Sequence, residues 1–229
     1  MRVTHDPAPK SGTQIDLALD EQVATVTDIG AKVRRYAVAD RDGITPFDAD
    51  EPAPAGHGAV LAPWPNRIRD GRYTWDGTEH ELAITEPRRM TALHGLVMWQ
   101  RWSTAERSAS HVRLETRIAP QSGYPFDVLV AVTYRLTSAG LHVQAVATNL
   151  GSEAAPYGIG FHPWLSPGPG SLDECPFSLD AATRVTTDDR LLPVGTEPGS
   201  GAFDLRQPRP ASELDLDDAY VDVLRDADG

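Results

Sequence analysis

Four short stretches carry side chains that could do more than fill a core, and each also has an ordinary structural reading. In YGIGFHPWLSPG (157–168), His162 follows two glycines and precedes Pro163 and Trp164. The glycines permit a close backbone approach and the proline ends a strand. A histidine with a reference pKa of about 6.5 can give or take a proton near neutrality. In the ordinary reading it is a satisfied structural ring. In APWPNRIRDGRY (62–73), two prolines present Asn66 and Arg67. Arginine offers a planar fork of donors and asparagine both donates and accepts, which suits vicinal hydroxyls or a carboxylate. A surface turn with Arg67 paired to an acid is the alternative. In TALHGLVMWQRW (91–102), His94 precedes a glycine, and Trp99 and Trp102 offer either ring faces for a sugar or plain core. DLDDAYVD (215–222) holds four carboxylates, Asp217 among them, and reads equally as a solvated acidic edge with Tyr220 and Val221 as its apolar anchors.

The elements that must position these groups read as strands. HVRLETRI (111–118), FDVLVAVTYRLTS (126–138) and LHVQAVATNL (141–150) alternate β-branched and polar residues, with Ser138-Ala139-Gly140 as a tight connection. Asp76-Gly77 between two strand-like arms in GRYTWDGTEHELAI (71–84) is a hairpin signal. QVATVTDIGAKVRRYAV (22–38) suggests a bent strand pair around Gly30, and DADEPAPAGHGA a loop. No amphipathic helix of ten residues is present. Many short strands between turn signals indicate an all-β fold, a large antiparallel sandwich or barrel.

Composition narrows the partners. The 229 residues are enough to bury a core without disulfide or metal staples, and the expectation is one domain over 1–229 with a loose lead-in over residues 1–14. A net charge of −12 argues against nucleic acid and anionic membrane. Cys175 is the single cysteine, so no intrachain disulfide forms. The opening MRVTHDPAPKSGTQ lacks the apolar run of a signal peptide and no stretch has the length of a membrane span, so a cytoplasmic location is expected.

Taken in order, Asn-Arg-Ile after a Gly/Pro loop, then Leu-His-Gly, then Phe-His-Pro-Trp after two long strands, then Leu-Asp-Asp-Ala-Tyr resembles the aldose 1-epimerase (galactose mutarotase) family over roughly residues 20–229. The resemblance implies a galactose mutarotase-like supersandwich with a sugar site on its concave face. It makes His162 the general acid toward the sugar ring oxygen, His94 a substrate-binding neighbour, Arg67 a donor to hydroxyls with Asn66 flanking, and Asp217 an acceptor from hydroxyls. It implies a small-molecule sugar of galactose or glucose type and neither metal nor other cofactor. The family's base is a late glutamate, and no glutamate follows Glu213, so that role has no matching position. The ending RDADG reads as a hairpin turn lacking its return strand, and the C-terminal strands are expected to be missing.

Three other readings stay open. A carbohydrate-binding relative would bind sugar without turnover. A phosphosugar epimerase would need a basic cluster, for which Arg67, Arg69, Arg72 and Arg101 are the candidates, with Met98 where a further arginine would help. A cupin-like metal enzyme would use a His-x-His pair, and His57, His80, His94 and His162 each stand alone.

Overall fold

A computed structural model describes residues 8–225, and the chain gathers into two compact units, one ending at Ser166 and one beginning at Pro167. The first seven residues of the lead-in and the last four of the RDADG turn lie outside the described residues. The described elements are strands joined by loops and 3-10 turns. No helix among the described residues is long and apolar enough to cross a membrane. The fold is all-β and its strand pairs are antiparallel.

The first unit opens with a four-stranded meander, β1 (Gln14–Leu19), β2 (Gln22–Thr27), β3 (Val33–Val38) and β4 (Arg41–Ile44), paired in that order. Short pieces follow: β5 (Val60–Leu61), β6 (Arg67–Arg69), β7 (Arg72–Trp75), β8 (Thr78–Glu81) and β9 (Thr91–Leu93). A second four-stranded sheet is built from β10 (Ser103–Arg107), β11 (His111–Ile118), β12 (Val128–Thr137) and β13 (Gly140–Asn149), and β14 (Gly160–Phe161) closes the unit.

Alternation decides which faces are buried. In β11, Val112, Leu114, Thr116 and Ile118 point inward while the intervening His111, Arg113, Glu115 and Arg117 stay at least partly solvated. The register sets those inward residues opposite Tyr134, Val132, Val130 and Val128 of β12. Ile15, Leu17, Ala24 and Val26 of the meander join them in one apolar core. Each such side chain contributes about 1.5–3 kcal/mol on leaving water. The β7–β8 hairpin turns at Asp76 and Gly77, with φ of 46° and 76°, the double left-handed geometry that Asp-Gly serves.

Among the polar contacts of the core is one between distant segments. The buried Tyr134 hydroxyl donates to the Ala31 carbonyl at 2.6 Å, and burial pushes its phenol pKa up. Tyr134→Phe should leave that carbonyl unpaired and cost about 1–2 kcal/mol, read as a lower urea midpoint at unchanged slope.

The second unit holds β15 (Pro176–Phe177), β16 (Ala181–Thr187), β17 (Pro193–Pro198), β18 (Arg209–Pro210) and β19 (Ala219–Val223). β16 is central in a three-stranded sheet, and β15 pairs with β18. Arg184 on β16 anchors this sheet by donating to Glu197 at 2.7 Å and to Asp218 at 2.6 Å.

Candidate functional site

Residues 60–67 act as a splint in the first unit. Its start, β5, pairs with β14, so that Val60 lies opposite Phe161 and Leu61 opposite Gly160. Its end enters β6, whose Arg67 lies opposite Leu93 of β9. His162 follows β14 and His94 follows β9, so one eight-residue stretch aligns both histidines. Their rings meet edge to face with centroids 5.5 Å apart.

The backbone near His94 is specialised for this approach. Asn66, His94 and Gly95 all have left-handed φ, at 58°, 62° and 75°. The Asn66 carbonyl accepts from the His94 amide at 2.9 Å, and the Asn66 amide donates to His94 Nδ1 at 3.1 Å. At Gly95 a Cβ would sit 2.1 Å from the Ala62 carbonyl oxygen, so no side chain fits. That oxygen accepts the amides of Leu96 and Val97 at 2.7 and 3.3 Å. At Gly160 a Cβ would sit 2.8 Å from the Pro65 Cβ, a looser contact with a side chain. The glycines of the His162 segment thus accommodate the proline-rich splint.

His162 is fixed through its backbone: its amide donates to Ala59 and its carbonyl accepts from Gly58, at 3.0 and 2.8 Å. The Trp164 indole N–H donates to His162 Nδ1 at 3.2 Å. Burial lowers the His94 pKa to about 4, helped by His162 and Arg67 and opposed by Glu86. His94 is therefore uncharged at pH 7 and, with Nδ1 accepting from a backbone amide, carries its proton on Nε2.

Arg67 is held by a residue the sequence reading did not single out. Glu86 accepts from Arg67 Nε at 2.8 Å and from Arg67 Nη2 at 3.1 Å, a two-pronged pair that is mostly buried on both sides. Thr91 and Arg89 also donate to the Glu86 carboxylate, at 2.7 and 3.3 Å. The Arg67 hydrogen bonds lead in holding its pKa down at about 2. Such a carboxylate orients Arg67 and is a poor proton acceptor at neutral pH. Arg67 Nη1 donates onward to Asn66 Oδ1 at 3.0 Å.

Four of the five site residues named from the sequence, His162, His94, Asn66 and Arg67, thus form one cluster. Asp217 lies in the second unit, exposed in the stretch leading to β19, beside the Asp218 that binds Arg184. Trp102 is buried core, its indole donating to the Val97 carbonyl at 3.3 Å. Trp99 is exposed and lies over the ammonium of Lys32, 4.4 Å from the ring centroid. Lys32 is almost fully buried, with its pKa lowered by burial to about 8, and bonds the carbonyls of Ile29 and Met98 at 3.0 and 2.6 Å. It ties the loop that carries His94 to the start of β3. Of the proposed basic cluster, Arg67, Arg72 and Arg101 each have a carboxylate partner, respectively Glu86, Glu81 and Asp28. No group of three His, Cys, Asp or Glu side chains that could hold a metal ion occurs among the described residues.

Comparison with known proteins shows the family and the fold. A family model described as aldose 1-epimerase matches residues 14–227. Uncharacterized protein YihR of Escherichia coli K12 is 36% identical over 185 residues, covering 80% of this chain and 60% of that protein. Rat galactose mutarotase is 34% identical over 164 residues, covering 66% of this chain and 45% of its own length. The chain therefore spans about half of the curated relatives it matches. Among solved structures, a GalM/aldose epimerase homologue from C. elegans has a TM-score of 0.82 at 20% identity, covering 95% of this chain and 73% of that one. Galactose 1-epimerase from Lactobacillus acidophilus has a TM-score of 0.75 at 18% identity, covering 90% and 65%. At these identities the structural likeness speaks for the fold.

Proposed function

Because the chain belongs to the aldose 1-epimerase family, we propose that it interconverts the α and β anomers of a free hexose. The supporting observation is the His94–His162 pair at 5.5 Å, flanked by an arginine whose fork is already oriented. In this reading a solvent water takes the proton from O1 while His162 gives one to the ring oxygen, and both protons return when the ring recloses. The C1–O5 bond breaks, the C1–C2 bond rotates, and the aldehyde recloses on its other face. Arg67 and Asn66 bind hydroxyls and His94 donates through Nε2. Asp217 is assigned to hydroxyls by the family resemblance alone. The reading needs no metal or other cofactor, treats the chain as one functional domain, and goes with a cytoplasmic location.

The test is polarimetry of fresh α-D-glucose and α-D-galactose with the 229-residue chain. An acceleration is expected that falls about 10²–10⁴-fold in His162→Ala, the range a placed acid supplies, with circular dichroism confirming the fold. An unchanged rate in the variant would overturn the role of His162.

A second reading, sugar binding without turnover, is favoured by the state of Glu86, whose oxygens serve Arg67, Thr91 and Arg89. It predicts saturable hexose binding by calorimetry with no acceleration. The phosphosugar reading is weakened by the carboxylate partners of Arg67, Arg72 and Arg101.

A further inference from the structure

We infer that Trp164 is a positioning residue that sets which nitrogen of His162 carries the proton, and that His57 holds Trp164 in place to do so. Its catalytic consequence rests on the anomer-exchange reading. The placement of the proton does not.

An indole N–H can donate and cannot accept. At 3.2 Å from His162 Nδ1 it therefore meets a lone pair, and the ring carries its proton on Nε2. His94 is in the same state by a different device, the Asn66 amide at 3.1 Å. Both rings of the pair are thus fixed as Nε2–H donors. Toward a sugar ring oxygen this leaves the Nε2–H of His162 as the donor that the acid step uses, directed at the oxygen on which negative charge builds as C1–O5 opens.

What holds the indole is a closed set of contacts. The Thr45 amide donates to the Trp164 carbonyl at 2.8 Å, and the Ile44–Leu165 bridge continues that pairing. Thr45 also takes a backbone hydrogen bond with the ring of His57. That ring stacks on Trp164 with centroids 4.6 Å apart and planes 22° apart, and Phe47 backs it at 5.3 Å. Gly58, the residue after His57, donates its amide to the His162 carbonyl at 2.8 Å. Trp164 is thereby fixed by its backbone on one side and its ring face on the other, although it is 41% exposed.

His57 itself is 97% buried by exposure of 3%, and its Nε2 has no hydrogen-bond partner among the described residues. A leucine would fill such a pocket without a stranded nitrogen. A flat ring that bonds Thr45 on one edge and stacks on an indole suits the placement of Trp164 better than simple packing does. Burial is the leading cause of its lowered pKa, so the ring stays uncharged beside the indole.

The experiment is nitrogen-15 NMR of the histidine rings in the intact chain, at a pH above the histidine reference of about 6.5. The His162 resonances are assigned by their loss in His162→Gln. The expected result is a bare Nδ1 and a protonated Nε2 at His162. Trp164→Phe keeps a ring against His57 but removes the donor, and should move His162 to a mixture of the two tautomers. Replacing Trp164 with benzothienylalanine keeps the bicyclic shape and exchanges N–H for sulfur, which covers the case in which phenylalanine disturbs folding. The same change should follow, in weaker form, from His57→Leu. In an active chain kcat should fall about tenfold with KM unchanged, a part of what a placed acid supplies. A proton on Nδ1 in the unaltered chain, or an unchanged ring pattern on loss of the indole N–H, overturns the inference. A shifted ring pattern in a chain that does not accelerate mutarotation supports it and places the failure in the anomer-exchange reading.

Discussion

Gly95→Ala should unfold the His94 side of the cluster or lower the thermal midpoint by about 6–12 °C, more than any surface change. Two costs combine. Alanine at φ of 75° enters the left-handed region, worth about 1–2 kcal/mol. Its Cβ would also stand 2.1 Å from the Ala62 carbonyl oxygen and 2.4 Å from the carbonyl carbon, both backbone atoms that no rotamer change can move aside. Relief requires residues 94–97 to leave Ala62, which breaks the bonds from Leu96 and Val97 and parts the two histidines. A total of about 3 kcal/mol corresponds to that shift at 2–4 °C per kcal/mol for a domain of this size. Gly77→Ala is the control: it has the same sign of φ, 76°, and nothing within 4 Å of a new Cβ, so it should cost only the conformational part. Circular-dichroism melts of the two variants decide the matter. Equal midpoints would mean that the Ala62 contact is not what excludes a side chain at Gly95.

How far the sequence alone could reach follows from the range of each interaction. HVRLETRI coincides with β11 residue for residue because strict alternation with charged residues marks a strand buried on one face. The Asp76-Gly77 turn was legible for an equally local reason. β5 and β14 were not: each is two residues long, and Val60 and Leu61 sit within a run of buried residues that has no period. Yet this pairing, with β6 and β9, is what brings His94 to His162 across 68 positions. Glu86 was missed because its partner Arg67 is 19 residues away and its context, TEPRRM, reads as a turn. His57 reads in the sequence only as an isolated histidine, because its stacking on Trp164 exists only in the folded chain. In the second unit β17 is exposed throughout and begins and ends with proline, so no burial pattern announces it. The order of the motifs named the cluster, and tertiary pairing made it one.

Acid should destabilise this protein in two windows, the upper led by His94, with His57 shifted in the same direction, and the lower led by Glu86. His94 has a folded pKa of about 4 against a reference of 6.5, because burial disfavours its charged form. Between those values the unfolded chain binds a proton that the folded chain does not, so stability falls as pH drops from about 6.5 to 4. Glu86 has a folded pKa of about 2 against 4.5, because the Arg67 hydrogen bonds favour its carboxylate. Its contribution is complete above about 4.5 and is lost as pH falls toward 2. At about 1.4 kcal/mol per pKa unit, each window is worth on the order of 3 kcal/mol. Urea titrations along a pH series should therefore show His94→Gln flattened in the upper window and Glu86→Gln flattened in the lower, relative to the unaltered chain. The comparison has to be a difference, since Asp204, held at about 2 by Arg206, contributes to the lower window in every variant. At neutral pH Glu86→Gln should cost about 3 kcal/mol, since it leaves the largely buried Arg67 guanidinium without its counter-charge. A Glu86→Gln profile parallel to that of the unaltered chain below pH 4.5 would show that the Arg67–Glu86 pair carries no stability. Arg67 would then be held by Asn66 and the β6–β9 pairing alone, and its fork would be free to reorient around a bound hydroxyl.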